Sequence, residues 1–176
     1  MLPITLLFVT LFRPPRPQAG ELSVRAELVG RNKDYEGQKG EKALFVRLEV
    51  RNQAHRPLTF YQMSCSWTDS WAVEGAYHLS VLLCDKDAPT PVTLAPRQAI
   101  VYYGRLRPLG SARATTRPAR LRLAFVPGFI TGDLLAGQPS ARPLAYAAAR
   151  KLPVFGSNSF TTDFYNDSYR LSPPGR

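Results

Sequence analysis

Apolar and polar positions alternate in several short stretches of the chain, which is the pattern of strands with one buried face. The alternation is cleanest from Leu44 to Arg51, where apolar side chains fill the even positions and charged ones fill most of the odd positions. A similar period runs through 22–29 and 119–126. The pattern predicts antiparallel strands that turn one face to a core and the other to water.

Further β-rich stretches at 58–67, 77–83 and 99–106 are separated by turn residues. Sixteen prolines and twelve glycines in 176 residues also favour short elements joined by turns. We therefore predict an all-β fold, an antiparallel β-sandwich. The stretch 129–151 departs from the pattern and predicts a long loop or short helical excursion before a last strand within 152–164.

The chain begins with an apolar run of eleven residues, Leu2 to Phe12. This run is too short to span a bilayer, which takes roughly 20 residues, but it has the length of a signal-peptide core. We predict a signal peptide over 1–19, a single domain over 20–169 and a loose tail over 170–176. The mature protein is then exported, to the periplasm, the cell surface or the medium, with no transmembrane span. The alternative is that the run forms a buried N-terminal strand.

The two cysteines, Cys65 and Cys84, are expected to form a disulfide if the chain is exported. A loop of that size would stabilise the fold by about 3 kcal/mol. No further cysteine or histidine stands at metal-ligand spacing, so neither a metal nor a cofactor is expected. A cysteine nucleophile would need a histidine partner, for which His55 and His78 are the candidates by type.

Cys65 belongs to the stretch SCSWTDSW, which also holds both tryptophans. If 64–67 is extended, Trp67 shares a face with Cys65 and packs in the core. Trp71 falls in a predicted loop inside the disulfide ring, where it would form a recognition surface or fold back onto the core. The candidate binding residues are Trp71, Asp69, Tyr77 and His78.

The formal charge is +10, carried by 18 arginines and 5 lysines. Arginine suits bidentate recognition of carboxylate, sulfate or phosphate, but the scatter of the arginines favours compositional drift with a solvated surface over an anionic partner. The candidate anion-binding residues are Arg105, Arg107, Arg120 and Arg122. Such a stripe would suit an acidic polysaccharide or a lipid phosphate. An exported protein is not expected to have nucleic acid as its main partner.

Three motifs join the predicted strands: Val50-Arg51-Asn52 at a strand end, Arg56 to Phe60 after the turn, and Leu94-Ala95-Pro96 before a later strand. With SCSW, Cys84 and Gly156-Ser157-Asn158, they resemble exported bacterial proteins with an immunoglobulin-like β-sandwich. The resemblance covers 22–126 and 152–164, and it implies an immunoglobulin-like fold without implying a function.

No motif for a nucleophilic serine, a phosphate-binding loop, a dinucleotide or a zinc protease occurs. The sequence therefore predicts a non-catalytic binding or structural module of the cell envelope, with an unknown envelope protein or glycan as its partner; an anionic partner would fit the excess of arginine. One alternative is an inhibitor that blocks a protease through the Trp71 loop. The other is a hydrolase that uses His78, Asp69 or Asp85, which requires these groups to converge in a cleft.

Overall fold

The computed structural model describes residues 17–35, 38–81, 87–109, 120–129 and 142–162. The first sixteen residues of the predicted signal peptide, the excursion at 130–141 and the tail at 170–176 lie outside the described residues. Within those ranges the regular elements are strands, one α-helix and one 3-10 helix. The strand pairs there are antiparallel. The predicted all-β, sandwich-like fold is confirmed.

The described elements follow in chain order: β1 Leu22–Tyr35, β2 Gln38–Asn52, β3 Leu58–Met63, a 3-10 helix Trp67–Ser70, β4 Trp71–Val73, β5 Tyr77–Ser80, β6 Pro89–Leu94, β7 Ala99–Pro108, β8 Arg120–Leu121, β9 Leu123–Phe125, α1 Arg142–Arg150, β10 Phe155–Gly156 and β11 Phe160–Thr161. Each strand expected from alternation is present with shifted ends. β4 was not predicted, and the expected last strand is divided between β10 and β11.

The first layer is a four-stranded sheet in the order β1-β2-β7-β5. Its inward side chains are those that the alternation marks as apolar, and Leu48, Val50 and Leu106 are fully buried. The outward positions carry arginine, glutamate and tyrosine. Because the side-chain period of a strand is two, a slip of one residue would turn this charged set into the core.

The second layer is built from three smaller sheets, which pair β4-β9-β10, β8-β11 and β3-β6. β8 and β9 form one interrupted line, in which Leu121, Leu123 and Phe125 point inward and are buried. One hydrophobic core joins these side chains to those of the first layer. Arg122, between the two strands, points outward and is exposed.

Asn52, the last residue of β2, fixes the corner where both layers turn, and it is fully buried. Its Nδ2 donates to the carbonyl oxygens of Arg56 at 2.8 Å, Leu94 at 2.9 Å and Ala95 at 3.1 Å. Its Oδ1 accepts the N–H of Ala54 at 2.8 Å. One amide therefore satisfies backbone groups from two turns that lie about forty residues apart in sequence.

Part of the predicted excursion is the helix α1. It carries Pro143 in its first turn, where the missing N–H costs nothing. It ends at Arg150, and the next residue, Lys151, takes a left-handed φ of 51° while the N–H of Leu152 donates to the carbonyl of Ala147 at 2.8 Å. A second hydrophobic cluster of Val126, Phe129 and Ala147 holds the helix against the second layer.

Candidate functional site

Both tryptophans of SCSWTDSW lie in the interior aromatic cluster between the layers. The Trp67 ring lies 4.7 Å from the Tyr102 ring, and the Trp71 ring lies 4.9 Å from the Phe125 ring, centroid to centroid. Tyr102 donates its hydroxyl proton to Gln62 Oε1 at 2.6 Å. Burial raises the pKa of Tyr102, and the hydrogen bond to Gln62 offsets only part of that rise.

The prediction that Trp71 lies in a loop is wrong. Trp71 begins β4, and its side chain is only 3% exposed because it packs under the first layer. The premise that 64–67 is extended is also wrong, since the 3-10 helix begins at Trp67. A protease inhibitor that inserts an exposed Trp71 loop therefore loses its structural basis.

The other candidate binding residues are not gathered around Trp71. Tyr77 is buried in β5 and points into the core. His78 follows it on the outer face of the first layer, directly opposite Arg107 of β7. Asp69 lies in the 3-10 helix. Asp85, named for the hydrolase alternative, lies outside the described residues.

The segment around Cys65 is tied to the residues before β6 by a carboxylate. Asp87 accepts the backbone N–H groups of Cys65 at 2.9 Å and Ser66 at 3.2 Å, and also the hydroxyl of Ser66. Partial burial raises the pKa of Asp87, but these hydrogen bonds outweigh it and leave the pKa below its ordinary value. Cys84 lies outside the described residues, so the Cys65–Cys84 disulfide stays a prediction.

The four candidate anion-binding arginines do not form one stripe, and that part of the prediction is wrong. Arg105 and Arg107 lie on β7 and point outward from the first layer, where Arg105 is only 4% exposed. Arg120 and Arg122 are exposed on the outer face of the second layer. The two pairs therefore face opposite sides of the sandwich.

Arginines of the first two strands are compensated by their own neighbours. Glu49 binds Arg47 at 2.9 Å and Arg51 at 2.8 Å, and Glu27 lies 3.8 Å from Arg47 and 3.7 Å from Arg25. Hydrogen bonds from Arg51 and Arg47 lower the pKa of Glu49, and the bond to Glu49 raises the pKa of Arg47. Three arginines and two glutamates therefore form one network here, in which most of the positive charge is paired.

The segment 88–162 has few acidic residues to provide such compensation. Residues 88–162 contain ten of the 23 lysines and arginines but only one of the 13 acidic residues, Asp133. This part thus accounts for nearly all of the formal charge of +10. These basic residues are divided between the two layers, since Arg105 and Arg107 lie on β7 while Arg120 and Arg122 lie on the second layer.

Arg122 has the most fully defined geometry on the second-layer face. Its Nε donates to the carbonyl of Ser157 at 2.9 Å. Its guanidinium lies against Gly156, where an added Cβ would stand 2.7 Å from Nη2. Within the described part of the chain neither Nη group has a hydrogen-bond acceptor, so their N–H donors are available to a ligand.

Ser157, which positions Arg122, is itself fixed by β9. Its side chain is buried, its N–H donates to the Leu123 carbonyl at 2.7 Å, and its Oγ accepts the Leu123 N–H at 3.0 Å. The Nε of Arg122 is thus bonded to a residue that β9 holds by two hydrogen bonds, which limits the positions that its guanidinium can take. Preorganised donors of this kind bind carboxylate or sulfate with less loss of entropy.

Other basic side chains belong to the second layer and to the helix packed on it. Arg120 stands two positions along the strand, opposite Thr161 of β11. Helix α1, which contacts β4, brings Arg150 and Lys151 at its C-terminal end. Glu74 is the acidic neighbour, since its N–H donates to the Arg122 carbonyl at 2.9 Å, but no ion pair joins their side chains in the described structure. The face is therefore basic.

An open cleft of about 530 Å³ lies between the N-terminal turn and the β2–β3 turn, and its lining is Ala19, Gly20, Glu21, Gln53, Ala54, His55 and Arg56. Its charges are already paired. Arg56 Nη2 donates to both carboxylate oxygens of Glu21 at 2.7 and 2.9 Å, and the same carboxylate accepts the Gln18 N–H. The cleft therefore has little charge left for a ligand.

Neither a metal cluster nor a membrane helix occurs among the described residues: no three His, Cys, Asp or Glu side chains are grouped to hold an ion, and no helix is long and apolar enough to cross a bilayer. In comparisons with known proteins, the sequence matches no family model and no curated protein. The basic face that carries Arg120 and Arg122 is the candidate functional site.

Proposed function

We propose that this chain is an exported, non-catalytic binding module of the cell envelope, which holds an acidic glycan on the outer face of its second layer. The supporting observation is the oriented guanidinium of Arg122, held by Ser157 and Gly156. We also infer an immunoglobulin-like plan for the sandwich, from the resemblance of its strand-end motifs. Scaffolds of this type carry recognition on surfaces that a rigid core positions.

The chemistry favours carboxylate or sulfate groups on a chain molecule. Arg120 of β8 and Arg122, which lies between β8 and β9, are two positions apart in one extended line, which places their backbones roughly 7 Å apart. Two arginine forks at that spacing match anionic groups repeated along a polymer, and each fork can bind one group in a bidentate manner. The large apolar side chains exposed among the described residues are Tyr61, Leu144 and Val154, and single exposed side chains of this kind are ordinary for a solvated surface.

The test is binding of heparin and of polygalacturonate by calorimetry at about 50 and 200 mM salt. Arg120→Ala with Arg122→Ala should weaken binding at least about tenfold, which corresponds to about 1.4 kcal/mol. The matched control is Arg25→Ala with Arg51→Ala, which removes the same charge from the opposite face and should weaken binding less than about threefold.

A second variant separates orientation from charge. Gly156→Ala keeps every charge but forces the Arg122 guanidinium to move, since the new Cβ would meet it at 2.7 Å. We expect weaker glycan binding with unchanged stability, because a flexible side-chain end can yield. If the Arg120/Arg122 and the Arg25/Arg51 double variants weaken glycan binding equally, net charge alone explains the effect and the proposed site is refuted. Binding to vesicles with anionic lipid, without binding to either glycan, would refute the glycan as partner.

A further inference from the structure

Asn158 makes an unusual pair of hydrogen bonds with a strand that is 132 residues earlier in the sequence. Its Nδ2 donates to the carbonyl of Ala26 at 2.9 Å, and its Oδ1 accepts the N–H of Ala26 at 2.9 Å. A side-chain amide thus binds both backbone groups of one β1 residue. This is the bonding that a residue of a neighbouring antiparallel strand would supply.

β1 is an edge strand of the first layer. It pairs with β2 on one side, with Ala26 opposite Leu48, and the sheet order ends there. Since the backbone groups of Ala26 bind Asn158, they point away from β2. An edge with outward N–H and C=O groups is a template for another strand, which proteins block in several ways. β6, by comparison, carries Pro89 and Pro91 in place of two donors.

The sequence around Ala26 is complementary to itself when it is read antiparallel. If a second copy of β1 paired with the first at Ala26, Arg25 would lie opposite Glu27 of the second copy, and the converse pair would form as well. Val24 would lie opposite Leu28 of that copy on the inner face. Two opposite-charge pairs and two apolar pairs would thus flank a central pair of alanines.

We propose that the outer edge of β1 is a self-pairing surface for a second copy of this chain, centred on Ala26 and closed in the monomer by the amide of Asn158. The amide occupies the place of the second copy's Ala26 peptide, so closure and pairing exclude each other. β10 and β11 contact β1 on either side of Asn158. Pairing therefore requires the segment that carries Asn158 to leave the edge. This inference does not rest on the proposed glycan binding.

The test is the oligomeric state of Asn158→Ala by sedimentation equilibrium and light scattering. The wild type should stay monomeric, and the variant should dimerise about a hundredfold more tightly because two hydrogen bonds no longer compete. The matched control is Gln98→Ala, which removes another exposed amide bonded to a backbone N–H, that of Ala95. It should remain monomeric.

Charge reversal tests the register. In the Asn158→Ala background, Arg25→Glu places like charges opposite each other twice and should restore the monomer. Adding Glu27→Arg should bring the dimer back. A dimer that ignores Arg25→Glu would overturn the pairing, and so would a folded, monomeric Asn158→Ala. If Asn158→Ala does not fold, Asn158→Asp tests the same point, since it loses the bond to the Ala26 carbonyl; a folded monomer again overturns the proposal.

Discussion

Replacement of Asn52 tests how far one buried amide holds the two layers at their corner. Asn52→Ala would leave the N–H of Ala54 and the buried carbonyl of Leu94 without partners, while the carbonyls of Arg56 and Ala95 lie nearer to water. An unpaired buried backbone group costs about 1–3 kcal/mol. We therefore expect a loss of about 3 kcal/mol, or about 6–12 °C in the melting temperature.

Asn52→Asp gives the sharper result because it depends on pH. The carboxylate would keep the bond from Ala54 but would face the carbonyl oxygens that now accept from Nδ2, so its folded-state pKa should be raised. A raised pKa means that the protonated form is compatible with folding and the charged form is not. Relative to wild type, the penalty should be smallest below about pH 4 and should grow by about 1.4 kcal/mol per pH unit above it, up to the folded-state pKa.

The assay for both variants is urea denaturation followed by tryptophan fluorescence, since Trp67 and Trp71 are packed in the core. Gln53→Ala is the matched control. That neighbouring amide is exposed and binds only the Ser23 hydroxyl, so its loss should cost less than about 0.5 kcal/mol. A stability loss below about 1 kcal/mol for Asn52→Ala, or a penalty for Asn52→Asp that does not change with pH, would show that the Asn52 amide does not stabilise this corner.

Three further results follow from the interior and the surface charges. Glu49→Gln should lower the free energy of unfolding at pH 7 by less than about 1 kcal/mol. Because the pKa of Glu49 is lowered on folding, its contribution is present above about pH 4.3 and fades as the pH falls. A stability difference between wild type and variant that stays constant in urea denaturation from pH 2 to 7 would contradict this. Trp71→Ala should cost about 3–5 kcal/mol, but Trp71→Phe less than about 2, because its indole N–H makes no hydrogen bond among the described residues; equal losses in denaturation would refute that assignment. Titration of thiols should find none before reduction and two after, since Cys65 and Cys84 are expected to be paired; two at the start would disprove the disulfide.

Alternation located the strands because their outward positions really are polar. It failed for β4, where Trp71, Ala72 and Val73 are all buried. Helix α1 contacts β4 from outside, so this strand has no solvent face to mark it. A three-residue apolar run of that kind cannot be told from a loop by periodicity.

The two asparagines that organise the backbone could not be found from local pattern either. Asn52 binds groups 42 and 43 residues away, and Asn158 binds Ala26 across 132 residues. Their types suggest turns, since Asn is common there, and only the fold shows what they hold. The scatter of arginines along the chain predicted a solvated surface. The arginine positions alone do not show which positive charges are compensated, because that depends on where the acidic residues lie.

The glycan site and the self-pairing edge meet at two consecutive residues. The Ser157 carbonyl holds Arg122, and the Asn158 amide closes β1. If the segment leaves the edge on pairing, the Ser157 carbonyl shifts and Arg122 loses its anchor. Binding at one surface should then disfavour the other by the same factor, as linkage requires.

Asn158→Ala should therefore bind heparin more weakly than wild type, and heparin should shift its dimers towards monomers. Sedimentation with and without the polysaccharide measures both effects, and Gly156→Ala in the same background should abolish the shift by uncoupling Arg122 beforehand. A fully dimeric Asn158→Ala that binds heparin with wild-type affinity would show that Ser157 keeps its place when Asn158 leaves, and the two surfaces would then act independently.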